Sequence, residues 1–281
     1  MDSFSITRVD LAIILGYLAI VFFIGLIISR RGRQSEDLFL AGRSLGWVAI
    51  GFSLFASNIS GSTLIGLSGQ AYSAGVSVSN YEWMATIILV ILALLFLPFF
   101  VQTKISTIPE FLELRYNRFS RKYFSLVTIF LNIVVDTAGS LYGGALVLNV
   151  FFPEFDIWQI CAALALIAGI YTSIGGLGAV VYTDILQAIV ILMGSSILLF
   201  AVLGQFGFSW DAAAEMAAAH RMSLILPADD PNLPWTGTLL GLPILGFYYW
   251  ALNQQIAQRV LGARDITQAR WGALLGGFLK L

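Results

Sequence analysis

Charge is scarce in this sequence. Only 11% of its 281 residues are Asp, Glu, Lys or Arg, against 58% apolar, and the mean hydropathy is +0.86. A soluble domain carries about a quarter charged residues, so a chain this poor in charge lacks the polar surface to stay dissolved. The same composition excludes intrinsic disorder. A single cysteine, Cys161, excludes a disulfide scaffold, and 27 glycines without a repeat exclude a collagen-like chain. The net charge of −1 offers nothing to a nucleic-acid backbone, so no nucleic-acid partner is expected. One histidine and one cysteine leave most acid–base, thiol and metal mechanisms without their groups. No paired-His zinc motif, phosphate-binding loop or nucleophilic-serine elbow is present, so neither enzyme nor cofactor is expected. What remains is an all-α polytopic membrane protein whose first partner is the lipid bilayer.

A bilayer core about 30 Å thick takes about 20 helical residues to cross. Apolar runs cover residues 11–29, 44–81, 83–103, 123–153, 157–210 and 231–258, and another begins at Trp271. Arg30, Arg31, Arg33 and Arg43 form one basic loop; Lys104, Arg115, Arg118, Arg121 and Lys122 a second; Arg259, Arg264 and Arg270 a third. Basic loops stay cytoplasmic, so an even number of crossings separates them. Residues 44–81 are then one span and 83–103 its return. Residues 157–210 fit two crossings hinged at Gly175-Gly176, and 239–255 make the seventh span. The N-terminus lies outside the cell membrane, and the acidic segments 153–156 and 204–235 are external. Positive charges mostly follow the first run instead of preceding it, so it is a retained span and not a signal peptide. Phe278-Leu279-Lys280-Leu281 stops inside an apolar pattern, which reads as a fragment of a longer protein.

Two spans are poor helices. The second carries Ala56-Ser57-Asn58-Ile59-Ser60-Gly61-Ser62-Thr63 at its centre. The seventh carries Pro243 and Gly246, then Tyr248-Tyr249-Trp250 and Asn253-Gln254-Gln255. Broken backbone at membrane depth must be buried in protein or line a cavity. A pair of interrupted spans points to an inverted-repeat transporter with a midplane site; the plainer alternative is small residues that let helices pack closely. Ionisable residues inside a membrane usually face a cavity or a partner. Glu82 and Asp184 each fit either such a role or a carboxylate at a helix N-terminus. Asp136, near Gly139 and Gly143, is expected against protein, and Lys280 lies too deep to reach water.

These residues carry a resemblance. Leu38-Phe39-Leu40-Ala41-Gly42-Arg43, continuing through Trp47 to Ser53-Leu54-Phe55-Ala56-Ser57-Asn58-Ile59-Ser60, resembles the signature of the sodium:solute symporter family. Gly175-Gly176-Leu177 with Ala179–Gln187, and Tyr248-Tyr249-Trp250 with Asn253-Gln254 and Gln258-Arg259-Val260-Leu261, are similar to its later stretches. Tyr81-Glu82-Trp83 and Phe278–Leu281 are similar to the sodium/glucose cotransporter branch. The resemblance implies the LeuT-type fold of five-plus-five inverted repeats: residues 1–29 the extra first span, 44–210 the first repeat, and 236–281 the start of a truncated second. Residues 1–281 would be one transmembrane domain with no soluble domain. It implies a symporter that imports a small neutral polar solute, a sugar or polyol, by alternating access with sodium as coupling ion.

It also implies sodium ligation by the main-chain carbonyls of Ala56 and Ile59, with further ligands on a later span. Asp184 would lie on the sodium exit path. Asn58, Glu82 and Lys280 would touch the solute, with Tyr249 as the gate beneath it and Trp250 beside it. Two positions depart from the pattern. Thr63 stands where sugar-transporting relatives carry Gln or His, and Gly246 where they carry Asn or Thr, which widens the expected pocket. No family role attaches to Asp136. Two further readings remain: a transporter-like sensor with its signalling domain beyond Leu281, and a symporter of the same family for a non-sugar solute.

Overall fold

The computed structural model describes residues 7–29, 35–216 and 219–281. Arg30, Arg31 and Arg33 of the first basic loop lie outside the described residues. Among the described residues all regular structure is helical. Helix α1 (Arg8–Ser29) is followed by the short α2 (Ser35–Leu40). Helices α3 (Trp47–Asn58) and α4 (Gly61–Ala74) meet at a 61° bend. Helix α5 (Val76–Gln102) returns, and α6 (Ile108–Arg115) leads into α7 (Arg118–Phe151). The long helical stretch Ile157–Gln205 comprises α8 (157–175) and α9 (177–205), which meet at Gly176. Then come α10 (Trp210–Met216), α11 (Gly237–Leu252), α12 (Gln254–Leu261) and α13 (Ile266–Phe278). Four helical stretches among the described residues are long and apolar enough to cross a membrane, α3–α4 makes a fifth if taken as one broken span, and α11 is a shorter apolar helix. The count of seven crossings read from the sequence further divides residues 157–205 at Gly176.

Gly176 has φ 60° and ψ −164°, a backbone region that only glycine occupies at low cost. A Cβ there would sit 2.6 Å from the Leu38 carbonyl oxygen, so α2 lies directly against the hinge. The expected hinge at Gly175-Gly176 is therefore present. Its partner helix is α1, whose Gly25 faces Tyr171 and Ala179 on either side of it.

The second and seventh spans break where their backbones turn extended. Ile59 (φ −91°, ψ 106°) and Ser60 (φ −111°, ψ 172°) separate α3 from α4, and Asn253 (φ −66°, ψ 121°) separates α11 from α12. Pro243 and Gly246 break nothing, contrary to the sequence expectation. The π turn Gly237–Gly241 precedes Pro243, as the π turn Leu92–Phe96 precedes Pro98 in α5. A widened turn absorbs the hydrogen bond that proline cannot make. Glu82 also lies deeper than expected: α5 begins at Val76, so Glu82 is a full turn inside it.

The core lies between α3, α5, α12 and α13, with Ile50, Leu54, Leu89, Phe100 and Leu261 buried within it. Gly51, Gly272 and Gly276 let α3 and α13 close on each other. A Cβ on Gly272 would lie 2.5 Å from Ile50 Cγ2, and one on Gly51 2.6 Å from Leu275 Cδ2. Small residues at such spacing allow backbones to approach. By contrast α1, α7, α8 and α9 expose apolar side chains over most of their surfaces, the pattern of helices that face lipid on one side.

Arg43 of the first basic loop meets the second and third. Arg43 donates to the Lys104 carbonyl at 3.0 Å, to Ile105 at 3.2 Å and to Leu261 at 3.4 Å. Leu45 pairs with Ala263 as an isolated bridge. The third loop is smaller than the sequence suggested. Arg264 is exposed in the turn, but Arg259 is buried in α12, and Arg270 is held in α13 by the Ala93 carbonyl at 3.1 Å.

Candidate functional site

The break between α3 and α4 frees polar groups, and the chain satisfies part of them locally. Ser60 caps α4 by accepting from the Thr63 N–H at 3.3 Å. The Thr63 hydroxyl donates to the Asn58 carbonyl at 3.2 Å and lies 3.2 Å from Ser60 Oγ. The Ala56 carbonyl accepts from the Ile59 N–H at 3.1 Å and keeps its second lone pair. Oxygen donors at a helix end suit a hard monovalent cation.

Around this break the structure assembles all six expected solute residues. Asn58, Thr63, Glu82, Tyr249 and Trp250 line a cavity of about 360 Å³ between α4, α5 and α11, a volume in the range of small-molecule sites. Lys280 reaches it from beyond the end of α13. Its ammonium donates to Asn58 Oδ1 and to Glu82 Oε2 and lies 5.8 Å from the Trp250 ring centroid and 5.6 Å from that of Phe55. A lysine this deeply placed needs both the counter-charge and the aromatic faces. Tyr249 is half-buried and meets Trp250 edge-on, with ring centroids 5.1 Å apart. Both rings belong to the π turn Tyr248–Leu252 that ends α11.

Gln70 also lines this cavity, and sequence reasoning missed it. Thr63 and Gln70 are seven apart and thus share one face of α4, a signal that was available. Gly246 lines the same cavity, and a Cβ there would meet Ile88 Cγ1 of α5 at 3.1 Å.

A second, larger cavity of about 720 Å³ is lined by Ala56, Ser57, Asp184 and Arg259, among others. Asp184 is buried in α9. Its Oδ2 accepts from Ser53 Oγ at 2.5 Å, Ser57 Oγ at 3.2 Å and Arg259 Nη2 at 3.4 Å. Arg259 Nε also donates to Ser53 Oγ at 2.8 Å, and its Nη1 donates to the Gln255 carbonyl. The sequence reading gives Ser53 and Ser57 no role and places Arg259 in the third basic loop. Arg259 was taken as a cytoplasmic loop charge because positive charge in a turn between apolar runs normally is one.

Asp136 lies in a π turn of α7, Asn132–Thr137, and accepts from Asn253 Nδ2 at 3.5 Å. No cation pairs with it among the described residues. Its side chain is half-buried and faces the break of the seventh span, where the sequence reading expected burial against protein.

Comparison with known proteins follows the same lines. Residues 38–279 match the sodium:solute symporter family. The chain is 38% identical over 290 residues to a sodium/glucose cotransporter of Vibrio parahaemolyticus, covering 99% of this chain and 53% of the relative. It is 31% identical to sodium/glucose cotransporter 4 of Danio rerio, over 99% of this chain and 45% of that protein. It is 33% identical to a sodium/myo-inositol cotransporter of Bos taurus, over 97% and 42%. The chain thus spans about half the length of the curated relatives it matches. Among solved structures, a substrate-bound, outward-open Na+-coupled sialic acid symporter superposes with a TM-score of 0.86 at 24% identity, over 98% of this chain and 57% of the other. The fold is therefore the LeuT-type inverted-repeat fold, and the chain is a multi-pass membrane protein.

Proposed function

The chain belongs to the sodium:solute symporter family, and from that premise we propose that it supplies the solute cavity of a sodium-coupled importer of a sugar or polyol. Residues 44–210 are the first repeat in this reading and 236–281 the opening of the second. The three basic loops face the cytoplasm, and the N-terminus lies outside a cell membrane. The observation that carries the reading is the Asn58–Lys280–Glu82 bridge across the broken second span. It offers donors, an acceptor and balanced charge to hydroxyl groups, next to the flat rings of Tyr249 and Trp250. The names of the relatives, which include glucose and myo-inositol cotransporters, agree with that chemistry.

Sodium enters as cargo. Carbonyls of Ala56 and Ile59 hold it at the end of α3, within reach of Asp184 on the way to the cytoplasmic side. Because Asn58 belongs to the same break, its amide senses the backbone that holds the ion, which couples solute to sodium. The test is uptake by the full-length protein in proteoliposomes, with radiolabelled glucose, mannose and myo-inositol. At least one should enter in sodium, and entry should fall at least about tenfold when choline replaces it, the scale of a coupled site. Equal uptake of each in both salts overturns the sodium assignment. Tyr249→Ala should lose most of that uptake and Tyr249→Phe little, since stacking uses the ring and not the hydroxyl. Near-normal uptake by the alanine variant removes Tyr249 from the site.

A further inference from the structure

The proposed reading gives Asp184 a passing sodium ion but says nothing of what holds this carboxylate when no ion is there. The structure contains an answer in Arg259. Both residues are buried, with side-chain exposures of 7% and 6%, and both line the cavity that Ala56 opens into. Arg259 is the one basic side chain among the described residues of that lining. Every hydrogen bond to Asp184 converges on Oδ2, which leaves Oδ1 without one among the described residues. The Arg259–Asp184 pair is long, at 3.4 Å. The guanidinium is held more closely by Ser53, at 2.8 Å, and by the Gln255 carbonyl. It is thus anchored in place without full commitment to the carboxylate.

The elements also matter. Ser53 and Ser57 lie on α3, whose end carries the Ala56 carbonyl. Arg259 lies on α12, which Asn253 separates from α11. A buried carboxylate without a cation is costly, and two cations beside one carboxylate repel each other. Arg259 and sodium at Asp184 therefore weaken each other's hold on the carboxylate.

We propose that Arg259 is a tethered counter-cation that competes with sodium for Asp184, yielding the carboxylate as the ion passes and reclaiming it in the empty carrier. The proposal rests on the sodium reading above. It makes Arg259 a positioning residue that weakens sodium binding so that the ion can leave.

The test is equilibrium binding of ²²Na⁺ to the purified full-length protein, which needs no knowledge of the solute. Arg259→Gln should bind sodium at least about fivefold more tightly than wild type, the low end of coupling between competing ligands. Arg259→Lys, which keeps the charge, should bind close to wild type. In Asp184→Asn/Arg259→Gln, where the carboxylate is gone as well, the gain should disappear. Damage to the fold lowers the number of sites or their affinity and does not tighten them, so a gain in affinity separates competition from a structural role. Unchanged or weaker sodium binding in Arg259→Gln overturns the proposal, as does an equal gain in the lysine variant. If wild type itself binds no sodium, the reading beneath the proposal has failed.

Discussion

The two broken spans solve one problem in opposite ways. At the first break two extended residues, Ile59 and Ser60, are stitched locally: Ser60 caps α4 and Thr63 bonds back to Asn58. At the second a single extended residue, Asn253, is braced across the bundle. Its side chain caps α12 through the Gln255 N–H at 2.9 Å and donates to Asp136 on α7, while Arg259 ties α12 to α3 and α9. The first break also turns Asn58 and Ala56 toward cavities, and the Asn58 side chain there accepts from Lys280. The braced break holds the aromatic pair Tyr249–Trp250 in the turn before it. The backbone of one break is closed by its own residues and that of the other by neighbouring helices.

This contrast predicts a ranking of stability losses. The largest belongs to Asn253→Leu, which removes a cap worth about 1 kcal/mol and the 3.5 Å contact to Asp136, and puts a branched apolar side chain in a buried polar position. Thermal unfolding of the detergent-solubilised protein should register both losses together. An unchanged transition would mean that the second break is not cross-braced. Next comes Gly272→Val, which forces a side chain onto Ile50 where α3 and α13 touch. Overpacking of this kind costs about 1–3 kcal/mol, and the effect should be larger than that of Gly66→Val on α4, where a Cβ meets nothing within 4 Å. Equal losses would remove the distinction between a fixed α3 and a less confined α4. The smallest belongs to Ser60→Ala, which removes the cap of α4, worth about 1 kcal/mol, and its hydroxyl contact with Thr63. A loss as large as that of Asn253→Leu would show that the backbone of the first break is not closed by its own residues alone.

How much of this was legible depends on the range of the interactions. The first break could be read because Ser, Gly and Thr crowd residues 56–63, a local signal. Gly176 could be read for the same reason. Pro243 misled because its cost is met by the π turn before it, and π turns leave no mark in periodicity. Asp136 was visible as an oddity, but its partner Asn253 lies 117 residues on, and no spacing rule reaches that far. Arg259 was misplaced because a charge between two apolar runs is usually solvated. Its burial depends on Ser53 and Asp184, which arrive from two other spans. The six residues proposed to touch solute came from family likeness; five of them line one cavity and Lys280 reaches it.

The hinge at Gly176 bears on how the protein is made. Residues 157–205 carry one charged side chain, Asp184, and none near the hinge itself. Membrane insertion orients most helices by the charges in the loops that flank them, and here two successive crossings share no loop at all. The turn between them therefore carries no charge of its own, and the nearest upstream basic residues are Arg115, Arg118, Arg121 and Lys122. A glycine required by its backbone angle thus also spares the chain the charged loop that a longer turn would bring.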